Sequence, residues 1–155
     1  MIEIREINLS DTESYLDSLR RLIDTTINLP SKAKDSYKKQ WNSDAIKKQF
    51  GNSLFLIALD ESNSIVGLIL GTPSEGGVGT IIWVLVDKNQ QHHGLGTKMF
   101  EQAKEWYIQK GAHKIKLTVP DKSTVSFYLK QGMIIEGEHP NHWWNNNFWS
   151  MGLIL

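Results

Sequence analysis

The chain has no cysteine among its 155 residues. That excludes disulfides, thiolate nucleophiles and Cys-based zinc sites together, and it constrains the compartment only weakly. There is no charge excess either. Seventeen Lys and Arg balance 17 Asp and Glu, for a formal net charge of zero. No global field then draws the chain to nucleic acid or to an anionic membrane, and neither is expected as a partner. No apolar run approaches the ~18–20 residues of a membrane span. The opening MIEIREINLS holds two glutamates and no apolar block, so it does not read as a signal peptide. A cytoplasmic protein is expected. Repeats, low-complexity tracts and linkers are missing, so residues 1–155 read as a single domain. That length is enough to bury roughly two-thirds of the unfolded surface.

What is present is an ordinary globular composition, 40% hydrophobic and 22% charged, with one excess: six tryptophans. Trp143, Trp144 and Trp149 cluster near the C-terminus in an asparagine-rich setting, and Trp83 lies in a central apolar run.

Along the chain, Ile2 to Ile7 reads as a strand. Ser10-Asp11-Thr12-Glu13 is a capping-box pattern. Tyr15, Leu16, Leu19, Leu22, Ile23 and Ile27 follow as one stripe at helical spacing, and Pro30 ends that helix. Lys32 to Phe50 reads as a second helical region, with a break near Asn42-Ser43. Its six lysines, without arginine interleaving, describe a solvated face. Ser53–Leu59 and Ile65–Leu70 read as a hairpin, followed by a loop from Gly71 to Gly79 that holds four glycines. Lys114–Val119 alternates and reads as a strand. Asp121 or Ser123 can cap a short helix through Lys130. Met133–Glu138 and Ser150–Leu155 are the last strands. This order predicts an α/β (mixed α+β) fold, with helices on both faces of a mixed sheet of about seven strands.

The organising stretch is Ile81 to Lys110. An apolar strand, Ile81–Val86, leads into a polar turn, and Gly94-Leu95-Gly96-Thr97 opens a helix. Such an order aims backbone N–H groups and a helix dipole at one spot, which suits phosphate. A dinucleotide fingerprint needs a small residue where Met99 stands, and a Walker loop needs Gly-Lys-Ser/Thr where Gly96-Thr97-Lys98 stands. Both fail. The bare G-x-G also fits a plain strand-to-helix turn.

The wider pattern Gln91-His92-His93-Gly94-Leu95-Gly96 is Q-x-x-G-x-G. It resembles the acetyl-CoA motif of the GNAT (general N-acetyltransferase) superfamily, Q/R-x-x-G-x-G/A. Downstream, Phe127-Tyr128-Leu129-Lys130-Gln131-Gly132-Met133 is similar to that family's F-Y-x-x-x-G-F segment, with Met133 for phenylalanine. The resemblance is specific from about Ile65 to Ile135 and topological before it. It implies a splayed central strand pair, and acetyl-CoA as co-substrate. The amides of Gln91, His92, His93, Gly94, Leu95, Gly96 and Thr97 would cradle the pyrophosphate. An amide near Leu85 or Val86 would bond the acetyl carbonyl. Tyr128 would be the catalytic acid on the leaving thiolate; on the bare sequence it reads as a core tyrosine on a short helix. Direct transfer in a ternary complex is implied, because no cysteine is available for an acetyl-enzyme.

Three departures stand out. His92 replaces a glycine common in the family. Asp121 replaces an asparagine seven residues before the tyrosine, which leaves its contact with the pantetheine arm in question. The central strand has no glutamate to serve as base. Glu75, His139, His142 or solvent remain as candidates. The His139–His142 spacing alone does not make a metal site, and no metal is expected. Trp143, Trp144, Phe148 and Trp149 would either wall an acceptor pocket, where a cation such as a polyamine or aminoglycoside suits aromatic faces, or pack against the sheet edge or a homodimer partner. Glu75, His142, Trp143 and Trp144 are the candidate acceptor-binding residues. The acceptor is an amine of a small molecule or peptide. Two alternatives stay open: a non-catalytic acyl-CoA sensor, and an enzyme using a longer acyl-CoA.

Overall fold

A computed structural model describes residues 1–42, 44, 48 and 51–155, with the side chains of residues 9, 10 and 12 left out. One sheet runs through the chain. Its strands are β1 (Glu3–Glu6), β2 (Leu54–Leu59), β3 (Ile65–Glu75), β4 (Val78–Val86), β5 (Lys114–Val119), β6 (Ile134–His139) and β7 (Phe148–Ile154). They lie in the order β1-β2-β3-β4-β5-β7-β6. Every neighbouring pair is antiparallel except β4 and β5.

Helices cover both faces. On one side, α1 (Leu16–Thr26) buries Leu19, Leu22 and Ile23 against Phe55, Ile57, Leu68 and Leu85. Its neighbour α2 (Ser31–Gln40) buries Ala33. On the other side, α3 (Leu95–Gln109) buries Met99, Phe100, Ala103 and Tyr107. There α4 (Lys122–Lys130) adds Val125 and Tyr128 to the same core. The middle strands are apolar on both faces, as a doubly covered sheet requires; all six residues of β2 are buried.

Two boundaries differ from the sequence expectation. The capping-box segment forms a 3-10 turn, Leu9–Tyr15, before α1 begins. Pro30 does not end that helix. The helix stops at Thr26, and Pro30 caps α2, where its carbonyl accepts from Ala33 and Lys34. A proline is tolerated there because no helical donor is lost. The second helical region breaks after Gln40, close to the expected break, and Asp44 and Lys48 are again helical. Of its expected extension to Phe50, residues 43, 45–47, 49 and 50 lie outside the described residues.

The glycine loop is also different: it is mostly strand. Here β3 and β4 continue past Gly71 and Gly79 to a turn at Gly76-Gly77. Those two strand glycines make room for Tyr107. A Cβ on Gly71 would lie 2.2 Å from its hydroxyl, and one on Gly79 would lie 2.1 Å from its ring. The Tyr107 hydroxyl donates to the carbonyls of Thr72 at 2.8 Å and Thr80 at 3.1 Å. Close approach, not turning, explains the glycines.

Candidate functional site

Two irregularities in β4 build the site. The first is a β-bulge. Leu70 pairs with Trp83, but the next residue, Gly71, pairs with Ile81. Ile82 is left without a partner, and the strand bends there. The second is a split. The parallel ladder between β4 and β5 holds only from Val78↔Lys114 to Thr80↔Lys116. Beyond it, β4 keeps its pairing with β3 through Val86, and β5 keeps its pairing with β7 through Val119. Each strand therefore presents one edge of unpaired backbone to the gap, where a ligand with amide groups can add to the ladder.

The gap widens into a cleft of about 600 Å³. Its walls are Ile81–Leu85 of β4, Leu117–Asp121 in and just after β5, Tyr128 of α4, the α1–α2 connection with Tyr37, and Trp143, Trp144 and Phe148 before and in β7.

Past the end of β4, outside this lining, is the glycine turn. Asp87 accepts from Asn89 N–H at 2.9 Å and pairs with Arg21 of α1 at 3.2 Å, which fixes the start of the turn. Gln91 donates its side-chain amide to the Val86 carbonyl at 2.9 Å. His92 holds a left-handed φ of 62°. Gly94, also left-handed at 81°, is the N-cap of α3 and offers no side-chain cap. The first amides of a helix have no partner inside it, so those of Leu95, Gly96 and Thr97 face outward at the positive end of the dipole. A Cβ on Gly96 would come within 3.3 Å of the Phe127 ring and 3.7 Å of Val86. The backbone there is thus bare and closely packed from behind. This cradle fits a pyrophosphate. His93 and Thr97 are exposed, and Thr97 Oγ1 accepts from Gln131 at 3.2 Å.

Tyr128 is buried on the cleft wall, edge-on to Phe127 at 5.0 Å and Phe100 at 6.2 Å. Burial pushes its phenol well above the ordinary tyrosine value. Asp121 caps α4 through Ser123 N–H at 2.9 Å and accepts from Asn28 Nδ2 at 3.2 Å. Burial acts to raise its carboxyl, but those bonds outweigh it and hold the group below the usual carboxylate range.

The other candidates scatter. Glu75 is exposed at the β3–β4 tip, beyond the closed end of the strand pair, and does not line the cleft. His139 is engaged with Ser150 Oγ at 2.6 Å. His142 lies against Trp143, with ring centroids 4.3 Å apart and planes tilted by 52°, and it does not line the cleft. Trp143 and Trp144 do line it, while Trp149 packs on the core. Asn28 and Tyr37 are among the lining residues that were not anticipated. Tyr37 had a signal, because Ala33, Tyr37 and Trp41 share one helix face at a spacing of four. Asn28 had none.

A mixed sheet opened between one parallel pair, with a helix N-terminus just past the opening, defines an acyltransferase-type α/β fold. The model of the acetyltransferase (GNAT) family matches residues 16–133, and the chain belongs to that family. Solved structures agree on the fold. A GNAT-family protein from Desulfovibrio desulfuricans superposes with a TM-score of 0.79 at 16% identity, covering 99% of each chain. The PaiA N-acetyltransferase of Thermoplasma acidophilum, solved with coenzyme A, gives 0.76 at 18% identity over 100% of this chain and 99% of that one. The ribosomal-protein-S18-alanine N-acetyltransferase of Escherichia coli gives 0.76 at 15% identity over 99% and 94%. No curated protein matches the sequence significantly.

Proposed function

We propose that residues 1–155 act as one cytoplasmic N-acetyltransferase domain, moving the acetyl group of acetyl-CoA to a primary amine by direct transfer. The observation that carries this reading is the conjunction of three features at one opening. They are the unpaired edge of β4, the bare amides of Gly94–Thr97, and Tyr128 on the facing wall.

In this reading the amides from Gln91 to Thr97 hold the pyrophosphate. The β4 edge from Trp83 to Val86 aligns the pantetheine arm, and an amide near Leu85 or Val86 donates to the acetyl oxygen as it gains charge. The acceptor nitrogen bonds to the acetyl carbon and the carbon–sulfur bond breaks. Tyr128 gives its proton to the departing sulfur and regains one from solvent. A raised phenol value keeps Tyr128 protonated, as the acid must be before transfer. Among the described lining residues, Asp121 is the one carboxylate, and it is held in a low-basicity cap. The proton of the amine therefore leaves to solvent.

The test is thiol release from acetyl-CoA with a panel of amines, followed by mass spectrometry of the product. Amine-dependent release is expected. Tight acetyl-CoA binding with no release on any amine would instead make the domain a sensor.

A further inference from the structure

We infer that the acceptor is a primary amine carried on an aromatic body with no second positive charge. This rests on the acetyltransferase reading above and names the substrate class of its cleft. The acceptor side of the cleft is a chain of rings. Tyr37 stands edge-on to Trp83 at 4.9 Å and edge-on to Trp144 at 6.2 Å. Trp144 donates its indole N–H to the Tyr37 hydroxyl at 3.1 Å. That bond satisfies the indole N–H and leaves Tyr37 its own O–H as a donor; the rest of what the pair offers the cleft is ring surface. Trp143 and Phe148 extend it, edge-on to each other at 5.2 Å.

The backbone is bent to hold this wall. Trp144 has φ 58° and ψ 29°, a left-handed conformation that a bulky side chain rarely adopts. Strain of that kind persists where surrounding contacts enforce it, and it concentrates at binding sites. Here it turns the indole from the β6–β7 connection onto α2, across the cleft mouth.

The charge pattern decides between acceptors. A polycation such as a polyamine or an aminoglycoside needs several carboxylates in reach. Among the described lining residues only Asp121 is charged, and its oxygens already take Ser123 N–H and Asn28 Nδ2. One ammonium group can rest on an aromatic face. Two or more would be desolvated without partners. An aromatic body, by contrast, finds offset and edge-on neighbours on several sides. The uncharged Ser36 and Gln40 at the rim can accept from the amine.

The experiment is calorimetric titration of the full chain, with and without saturating CoA, using tryptamine, phenethylamine, spermidine and kanamycin. Tryptamine should bind saturably and about tenfold tighter than spermidine. Trp144→Ala should weaken tryptamine about tenfold and leave acetyl-CoA affinity unchanged. Trp144→Phe, which keeps a ring and drops the bond to Tyr37, should retain most of the affinity. The inference is overturned by spermidine or kanamycin binding as tightly as tryptamine. It is overturned equally by no saturable binding of either aromatic amine, or by a Trp144→Phe loss as large as that of Trp144→Ala. Because the readout is binding, a failure of thiol release strikes the acetyltransferase reading, whereas a failure of aromatic amines to bind strikes only the assignment of the cleft's ligand.

Discussion

Gln91 donates its side-chain amide to the carbonyl of Val86 at 2.9 Å, closing the glycine turn back onto the strand it leaves. The leading glutamine of the Q-x-x-G-x-G pattern thereby sets the path of the backbone that follows it. Gln91→Ala removes that tie while leaving every loop amide in place. A hydrogen bond of this type contributes about 1 kcal/mol, which corresponds to roughly fivefold in affinity. Calorimetry should show CoA binding weakened by about that factor. An unchanged affinity would mean that the loop is held by Asp87 and Gly94 alone.

His92 supports a prediction of the opposite sign. Its φ of 62° is a conformation that costs a residue with a Cβ about 1–2 kcal/mol and glycine almost nothing. The histidine is exposed, and among the described residues its ring has no partner that would offset this. His92→Gly should raise the melting temperature by about 2–4 °C, with CoA affinity retained. A drop in stability would show that glycine's freedom in the unfolded chain outweighs the strain.

His92 was legible in the sequence as a departure from the family's loop, and other parts of the protein divide on the same line between local and tertiary signals. Local chemistry was legible: the strands β2 and β5, the cap at Asp121, the turn into α3, and the order of elements all follow from residue type and period. Tertiary demands were not. Gly71 and Gly79 read as loop residues because nothing in the sequence says that Tyr107 lies against them. The bulge at Ile82 and the parting of β4 from β5 have no local signal, since both depend on which strand pairs with which. Glu75 suggested a base only while the glycines around it read as a loop near the site. Once β3 and β4 extend as strands, it sits at their far tip.

Gly96 is where steric and electrostatic effects add. Its missing Cβ faces the Phe127 ring at 3.3 Å, and its amide faces outward at the start of α3. Gly96→Ala should press on Phe127 and weaken CoA binding modestly. Gly96→Glu adds bulk and a negative charge beside phosphate, and should abolish binding by calorimetry while circular dichroism stays close to wild type. Retained affinity in the Glu variant would remove the turn from the cofactor site.

Tyr128 is the proposed acid, and its burial fixes the pH behaviour. Its folded value lies above its unfolded value of ~10. The stability linked to it is therefore intact below pH ~10 and is lost as pH rises towards the folded value. Tyr107, buried in the same core, has the same sign. Turnover should show no alkaline limb from Tyr128 ionisation before the protein begins to lose stability. Tyr128→Phe should lower turnover by about 10²–10⁴-fold and leave CoA affinity close to wild type. Unchanged turnover would assign protonation of the thiolate to water.

Asp121 joins two parts of the molecule that the chain separates: it caps α4 and, through Asn28, pins the α1–α2 connection across the cleft. Asp121→Ala loses both and should lower stability by about 1 kcal/mol, or roughly 2–4 °C in melting temperature. Asp121→Asn can still accept from Ser123 N–H, so it should retain most of the stability. The carboxyl is held below its unfolded value of ~3.9, so its extra contribution is present above that pH and is lost as pH falls through the lower folded value. The gap between wild type and Asp121→Asn should accordingly close as the solution is acidified below pH ~4, with chemical denaturation at each pH as the measurement. If the gap persists into strong acid, the carboxylate charge is not what the cap uses.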